Sequence, residues 1–249
     1  MRSRRLDQLL LAAAVLVLWQ LVHWMVGPDV IASPWATITR AVALLGTPTF
    51  WGHAQATGLA FALAAVIAVV GGIAFGLALG LHRFSGDVAD PILGTLYSIP
   101  KITLYPIILL IFGLGLSAKV AFGVIHGIFP IAIFAMNAVR NVAPVFHRTA
   151  RVMRLSPLTT AVTVMAPAAL PEIITGIRVG VALTLLGVLI GELFASTSGL
   201  GFALIRAMDV HAATDILAIT LLLFCLAAAV NACLGTIERS TRHETRHGG

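Results

Sequence analysis

The chain has 249 residues, of which 59% are hydrophobic and only 10% are charged. Soluble domains carry charge on about a quarter of their residues, so this composition excludes an ordinary soluble protein and predicts one polytopic membrane domain. The net charge of +6 does not require a nucleic-acid partner, because the basic residues lie between apolar segments, where the uneven distribution of Lys and Arg across a membrane explains them.

The cysteines and the glycine-rich stretch indicate no metal, disulfide or nucleotide site. Cys225 and Cys233 share one apolar segment, which is typical of neither a disulfide framework nor zinc ligands. No G-x-x-x-x-G-K-[ST] phosphate-binding loop occurs, and the glycines at 71, 72, 76 and 80 lie inside an apolar segment. We therefore expect no cofactor, no metal and no catalytic residue in this chain.

Apolar segments close to or longer than the ~20 residues that cross a hydrocarbon core recur along the chain. They lie at about 9–27, 55–81, 92–113, 118–139, 172–195 and 212–235. The sequence therefore predicts an all-α polytopic membrane protein with about six transmembrane helices. Its organisation is a single transmembrane domain at 9–235 with tails at 1–8 and 236–249. Spacings such as Gly72-x-x-x-Gly76 and Gly176-x-x-x-Gly180 predict close packing of helices.

The basic residues predict how these helices are oriented. If the N-terminus is inside, only Arg40, Lys119 and Arg206 fall on the outer side, and every other Lys and Arg falls on the inner side. This asymmetry predicts a multi-pass membrane protein with both tails in the cytoplasm.

The first apolar segment has two interpretations. Its basic start, its apolar core and the sequence Val-Ile-Ala at 30–32 resemble a cleaved secretory signal. The segment is long enough to span, however, and Trp19, His23 and Trp24 are unusual in a signal core, which favours a retained anchor. After it, Ser33-Pro34 opens an amphipathic stretch up to Leu45 that fits an interfacial helix.

A basic, amphipathic segment at 141–171 separates the fourth and fifth apolar segments. Arg148, Arg151 and Arg154 recur at a spacing of three, so they share roughly one helical face. Ser156-Pro157 is typical of an N-cap followed by proline at the first helical position. The pattern predicts two short helices with a corner at Arg154, on the cytoplasmic side. The apolar counterpart consists of Val145, Phe146, Val152, Met153 and Leu155.

The third apolar segment contains Pro91, Pro100 and Pro106. Carbonyls freed by proline are tolerated in a membrane where neighbouring groups or a water-filled cavity satisfy them, so this helix lies beside a pathway or is kinked for packing only. Lys101 is a candidate for lining the pathway. It is expected near the cytoplasmic end of the segment, where it could instead extend to the membrane surface.

Ionisable residues at membrane depth are rare enough to be candidates for function. His126 and Pro130 lie in the fourth segment, and Glu192 lies near the outer end of the fifth. His126 either lines a path or is a hydrogen-bonded core histidine, and Glu192 either lines a path or is an ordinary interfacial carboxylate. Pro130 is the remaining candidate for the pathway.

Several short motifs follow one another along the chain. They are Ile-Pro-Lys-Ile at 99–102, Tyr-Pro-Ile at 105–107, Phe-Gly-Leu-Gly at 112–115, Ser-Ala-Lys at 117–119, Gly-Ile-Phe-Pro at 127–130, Val-Arg-Asn-Val at 139–142, Pro-Ala-Ala-Leu-Pro at 167–171 with Ile174, Gly176 and Arg178, Gly-Glu-Leu at 191–193 and Ser-Gly-Leu-Gly at 198–201. Together they resemble permease subunits of bacterial ABC importers. The nearest subgroup is the nitrate, sulfonate and taurine type, which includes importers of pyrimidine precursors.

The resemblance implies a type I importer permease in the bacterial inner membrane. Such permeases dimerise, dock on two cytoplasmic ABC ATPase subunits that bind the ATP, and receive solute from an extracytoplasmic binding protein. It also implies that segment 141–171 holds the coupling helices. Thr149 and Ala150 then fall on the two alanine positions, Arg151 on the usual basic position, and Leu170-Pro171 on the terminal pair. The implied ATPase interface consists of Arg148, Thr149, Ala150, Arg151, Val152, Met153, Arg154, Leu155, Ser156 and Pro157.

This chain departs from the family pattern at three positions. Arg148 stands where the family has glutamate, Arg154 where it has a helix-ending glycine, and Phe134 where an asparagine is expected. A non-glycine residue at the helix end costs roughly 1 kcal/mol. Three explanations stay open: the partner ATPase has an acidic groove, this permease pairs with a more typical one, or coupling is weakened.

Two other classes of function are considered. An intramembrane serine hydrolase would use Ser198 and His211, the nearest candidate pair, although no G-x-S-x-G motif occurs. An ATP-independent carrier or channel would need more embedded polar residues or an inverted repeat. The solute and the choice between a homodimer and a heterodimer are not determined by the sequence.

Overall fold

The fold is that of a computed structural model that describes the backbone of residues 2–194 and 196–247. Side chains at 2–5, 83, 147, 157, 158, 161, 237 and 239–247 lie outside this description. The helices within it are α1 (Arg2–Val26), α2 (Pro34–Leu45), α3 (Pro48–Gly80), α4 (Arg83–Ser98), a 3-10 turn (Lys101–Leu104), α5 (Tyr105–Phe112), α6 (Leu116–Arg140), α7 (Pro144–Val152), α8 (Pro157–Thr160), a π turn (Ala161–Met165), α9 (Ala166–Phe194), α10 (Leu200–Asp209) and α11 (Ala213–His247).

The described part is all-α, and the predicted fold class is confirmed. Five helices are long and apolar enough to cross a membrane, and the bent pair Phe84–Ser98 and Lys101–Phe112 makes a sixth span if it is counted as one. Polar side chains cap the predicted helix starts. At α2, the Oγ of Ser33 accepts a hydrogen bond from the amide of Ala36. The helices expected at Pro34 and at Pro157 both begin there.

The core consists of α3, α6 and α9, with α6 packed against both of the others. Small residues make this packing close. A Cβ added to Gly76 would lie 2.8 Å from the Cβ of Ala135, and one added to Gly127 would lie 2.7 Å from the carbonyl oxygen of Gly180. The predicted close packing through glycine is therefore confirmed, and a side chain at either position would separate the helices.

The long core helices define two ends of the bundle. We call the end that carries α7 and α8 the loop end, and the opposite end, where α9 leads into α10, the far end. Ion pairs tie neighbouring helices at both ends: Arg140 pairs with Asp87 at the loop end, and Arg40 on α2 pairs with Asp215 at the start of α11 at the far end. The hydrogen bond that Arg40 donates to the carboxylate of Asp215 raises the pKa of Arg40.

The third span is a broken one. Its two parts meet at an angle of 83° at Pro100, one of the three prolines that the sequence places in this span. The other two do not break it, because Pro91 lies inside α4 and Pro106 lies in the first turn of α5. Leu93 of α4 packs near Met136, in the loop-end half of α6, and Ile108 of α5 packs near Phe122, in the far-end half. The two parts therefore cover opposite halves of α6.

The fifth span begins earlier than predicted. The sequence placed its start at 172, after Leu170-Pro171, but α9 begins at Ala166 and contains Pro171. Proline removes one helical hydrogen bond, here to the carbonyl of Pro167. Pro167 is exposed, and the preceding π turn has already changed the hydrogen-bond register. The helix therefore continues through Pro171, and the loop is shorter than 141–171.

Candidate functional sites: the α7–α8 loop and the buried polar groups

The turn after α7 is a Schellman motif built on an arginine. The amide of Leu155 donates to the carbonyl of Ala150 at 3.1 Å, and the amide of Arg154 donates to the carbonyl of Arg151 at 3.1 Å. This pair of bonds closes a helix when the residue after the cap is left-handed. Arg154 has that conformation, with φ of 51°. The predicted corner between two short helices is therefore confirmed, and it occurs where the family pattern has glycine.

The α7–α8 surface combines exposed basic and exposed apolar side chains. Arg148 and Arg154 are exposed, and so are Val152 and Met153, with 84% and 63% of their surface accessible. Large apolar groups exposed next to cations are typical of a protein interface. The structure thus brings most of the predicted interface residues onto one accessible surface.

The remaining predicted interface residues have other positions. Ala150 is buried, so its contribution is the carbonyl that receives the Leu155 amide. Ser156 caps α8, since its hydroxyl accepts a bond from the amide of Thr159 at 3.1 Å. Thr149 is exposed, and its hydroxyl donates to the carbonyl of Val145. The side chain of Pro157 is outside the described part.

A cavity of about 950 Å³ opens at the loop end between α7 and the ends of α3, α4 and α6. Its charged lining is mixed. Asp87, Asp90, Arg140, Arg148 and Arg151 all face it. Arg140 and Asp87 pair with each other, and the other charged residues of the lining are Asp90 and two arginines of α7.

Lys101 lies at the break of the third span and about half-way along the bundle. The structure corrects its predicted position near the cytoplasmic end of the span, because α4 begins at Arg83 rather than at 92. Its ammonium donates to the carbonyl of Tyr97 at 2.7 Å and lies 4.9 Å from the centre of the Tyr97 ring. Among the described residues no carboxylate forms an ion pair with it.

His126 and Pro130 both lie in the interior of the bundle. His126 is almost fully buried, and its Nδ1 lies 2.7 Å from the carbonyl oxygen of Phe122, one turn earlier in α6. These contacts are those of a hydrogen-bonded core histidine. Pro130 is buried within α6. Lining of a path by either residue stays a prediction.

Glu192 lies two residues before the end of α9 and has no solvent-accessible surface. The hydroxyl of Thr57 on α3 shares its proton between the two carboxylate oxygens, at 2.8 and 2.9 Å. The amide of Gly201 donates to Oε2 at 2.9 Å, and the ammonium of Lys119 on α6 lies 3.5 Å from Oε1. Thr57 and Lys119 are equally buried, at 1% and 2% exposed.

The same side chains bind the backbone of the loop before α10. Lys119 donates to the carbonyl of Ser198 at 2.6 Å, and Thr57 accepts from the amide of Leu200 at 2.8 Å. The amide of Gly199 donates to Nδ1 of His53 at 3.1 Å. We call this set, Glu192, Lys119, Thr57 and His53 with the loop 198–201, the far-end cluster.

At one position of this loop the backbone conformation requires glycine. Gly199 has a φ of 117°, and a Cβ there would overlap the carboxylate of Glu192. A residue with a side chain would therefore be both strained and obstructed. The carboxylate consequently lies directly against the loop backbone and has no open space on that side.

The sequence did not identify the far-end cluster as a unit. Glu192 was a separate candidate, Lys119 entered only as a basic residue on the outer side and as part of a family motif, and Thr57 was not considered. The available signal was the presence of a lysine and a glutamate at the same predicted end of consecutive spans. Charges of opposite sign at one membrane depth commonly pair.

The proposed hydrolase pair is not assembled. Ser198 Oγ accepts a bond from the ammonium of Lys119, while His211 is exposed in a tight turn with φ of 53°. In the described part of the chain, no hydrogen bond joins the two side chains. Ser198 therefore belongs to the far-end cluster.

The sequence profile of one family, described as "Binding-protein-dependent transport system inner membrane component", matches residues 68–243. The chain belongs to this family. It is a multi-pass permease of the inner membrane, and the predicted resemblance is confirmed. The family description is that of a transport component and not of a hydrolase.

Similarity extends over most of the chain. A probable ABC transporter permease protein of Haemophilus influenzae is 29% identical over 207 residues, or 83% of this chain and 84% of the relative. The taurine transport system permease protein TauC of Escherichia coli is 29% identical over 211 residues, or 82% and 76%. A chain of the inward-facing MetNI methionine ABC transporter has a TM-score of 0.64 at 19% identity, over 78% of this chain and 98% of that one. The fold is that of a type I ABC importer permease.

Proposed function

We propose that this permease couples solute import to ATP hydrolysis through the α7–α8 loop. The observation that carries the proposal is the exposed surface of Arg148, Val152, Met153 and Arg154, displayed on a closed turn between the two helices that dominate the core. A cytoplasmic ABC ATPase subunit would cover these apolar groups. ATP would be bound and hydrolysed in that partner, and the permease would hydrolyse nothing.

The geometry supports alternating access as the mechanism. The loop joins α6 directly to α9, and both helices run from the loop end to the far end of the bundle. Closure of the ATPase subunits around α7 would therefore tilt both helices together. A solute cavity between the spans would change from inward-open to outward-open as a population shift driven by ATP.

The membrane orientation follows from the same loop. The loop end would face the cytoplasm, with both tails on that side, and the far end would face the binding protein that delivers the solute. A second permease copy, identical or different, would cover apolar surface of the third span, where Leu110 and Ile111 are 87% and 68% exposed in the single chain.

The solute path would pass the break in the third span. An ammonium group at mid-membrane is costly in contact with lipid, and an open backbone at that depth is tolerated where it lines a water-filled cavity. The ammonium of Lys101 and the exposed backbone before it, Tyr97 to Pro100, lie at this break, and a water-filled path would stabilise both. Lys101 would line the path, with His126 and Pro130 behind it.

The solute would be a small sulfonate, nitrate or pyrimidine-precursor-like compound. The taurine permease among the relatives supports a sulfonate. Glu192 does not oppose an anion, because Lys119 neutralises it inside the far-end cluster. A binding protein would make the finer choice.

The arginines at 148 and 154 would face an acidic groove on the ATPase. Each stands where the family pattern has no positive charge, so the docking surface of α7 is more basic than in the pattern. Surface charges mainly steer association and select partners. Of the three explanations for these arginines, a complementary groove is the one that uses their exposure.

Charge reversal in the loop tests the proposal. In cells that express the whole importer, Arg151→Glu should abolish ATP-dependent uptake of labelled taurine or nitrate, because Arg151 is exposed on α7 between Arg148 and Arg154 and a negative charge there would oppose the acidic groove. Arg151→Lys is the matched control and should keep uptake. Wild-type uptake by Arg151→Glu at equal expression would contradict the proposal.

A further inference from the structure

The far-end cluster joins parts of the chain that otherwise meet only through packing. Thr57 comes from α3, Lys119 from α6 and Glu192 from α9, and all three bind groups of the loop 198–201. The loop leads directly into α10 at Leu200. The cluster therefore attaches the start of α10 to all three core helices at once.

Stability alone does not explain why the ion pair is there. Replacing a buried ion pair with apolar groups of similar size is often neutral or even stabilising. What apolar groups could not provide is a set of directed bonds to the Ser198 carbonyl and the Leu200 and Gly201 amides. The cluster thus fixes a geometry rather than merely filling a space.

The opposite ends of the same helices carry the α7–α8 loop. Between the two ends, α6 and α9 approach so closely that a Cβ on Gly127 or Gly187 would meet the facing helix. Such contacts leave little room for α6 to slide along α9. A displacement of α7 would therefore reach the far end as a movement of the whole core.

At the far end, α10 forms part of a surface cavity. The cavity has a volume of about 430 Å³ and is lined by the starts of α3 and α11 and by one side of α10, including Phe202 and Arg206. It lies beside the far-end cluster, because His53 belongs to both. The position of α10, and with it this surface, is set by the cluster.

We propose that Glu192, Lys119 and Thr57 are positioning residues that make α10 move as one body with the core and the α7–α8 loop. The inference rests on the proposed function. It adds that the signal passed between the ATPase and the binding protein runs through the far-end cluster, which stays closed throughout the cycle.

Thr57 offers a nearly isosteric test. In the purified complex of permease, ATPase and binding protein in nanodiscs, Thr57→Val leaves the Leu200 amide without its acceptor and removes one of the donors to the Glu192 carboxylate. Stimulation of ATP hydrolysis by the taurine- or nitrate-loaded binding protein should fall at least about fivefold, the factor for ~1 kcal/mol, since each of the two lost hydrogen bonds contributes about that much. Hydrolysis without the binding protein should be unchanged. Thr57→Ser keeps the hydroxyl and should retain stimulation.

Hydrogen exchange on the wild-type complex provides a measurement that requires no variant. The amides of Gly199, Leu200 and Gly201 should stay equally protected in the nucleotide-free state and in a state trapped with ATP and vanadate. If exchange at these amides became tenfold faster on trapping, the inference would be overturned. Full stimulation of ATP hydrolysis in Thr57→Val would overturn it as well. A wild-type complex that the loaded binding protein does not stimulate would overturn the proposed function as well.

Discussion

Arg154 holds a left-handed backbone conformation that glycine adopts more readily, so Arg154→Gly should stabilise the turn after α7. The left-handed conformation costs a residue with a side chain about 1–2 kcal/mol. Glycine also gains freedom in the opened loop, which offsets about 0.4–1 kcal/mol of this benefit. The net gain should be about 0.5–1 kcal/mol in the local opening free energy, which is about a two- to fivefold slower exchange of the amides that open with the turn.

Hydrogen exchange measured by mass spectrometry on the peptide around 150–158 reports this directly, because the amides of Arg154 and Leu155 donate the two bonds that close the turn. Arg148→Gly is the matched control: it removes the same side chain and charge from the interior of α7. A glycine there should cost about 1 kcal/mol and speed exchange about fivefold. Equal or faster exchange in Arg154→Gly than in the wild type would refute the reasoning.

Two further predictions concern the core and the far-end cluster. Gly76→Ala should lower the free energy of unfolding by about 1–3 kcal/mol, because its Cβ would lie 2.8 Å from that of Ala135. Gly94→Ala is the control and should not lower it, because a Cβ there would have nothing within 4 Å. Thermal unfolding in detergent compares the two variants, and equal midpoints would count against close packing of α3 and α6. Lys119→Met should cost about 3–5 kcal/mol by leaving a buried carboxylate without its cation, and adding Glu192→Leu should recover part of that loss. A double variant less stable than the single one would show that the unpaired carboxylate is not the main cause of the loss.

Helix positions could be read from the sequence because they depend on local features. Apolar length placed the spans, Ser33-Pro34 and Ser156-Pro157 placed two helix starts, and the helix end at Arg154 followed from the family pattern. Each of these depends on residues close together in the chain. The structure confirms these helices and the starts at Pro34 and Pro157, but the third and fifth spans begin earlier than their apolar lengths indicated.

The depth of a residue in the bundle and the contacts between distant residues could not be predicted in the same way. Lys101 was placed too close to the cytoplasm because the start of α4 at Arg83 is too polar to count as part of an apolar span. The far-end cluster joins Thr57, Lys119 and Glu192 across 135 and 73 positions in the chain. Their meeting depends on how α3, α6 and α9 pack, which the sequence of any one helix does not specify.

Cross-linking from α7 tests the docking of an ATPase most directly. The variant Cys225→Ser/Cys233→Ser/Met153→Cys presents a single thiol on the proposed docking surface. It would be purified from its native membrane in mild detergent after treatment with a thiol-to-amine cross-linker. A second thiol position, Met208→Cys, lies on α10 at the far end and is 48% exposed as methionine. We expect Met153→Cys to be linked to a protein with a P-loop ATPase motif and Met208→Cys not to be. A stable assembly without any ATPase, or equal linkage from both positions, would contradict the proposed docking.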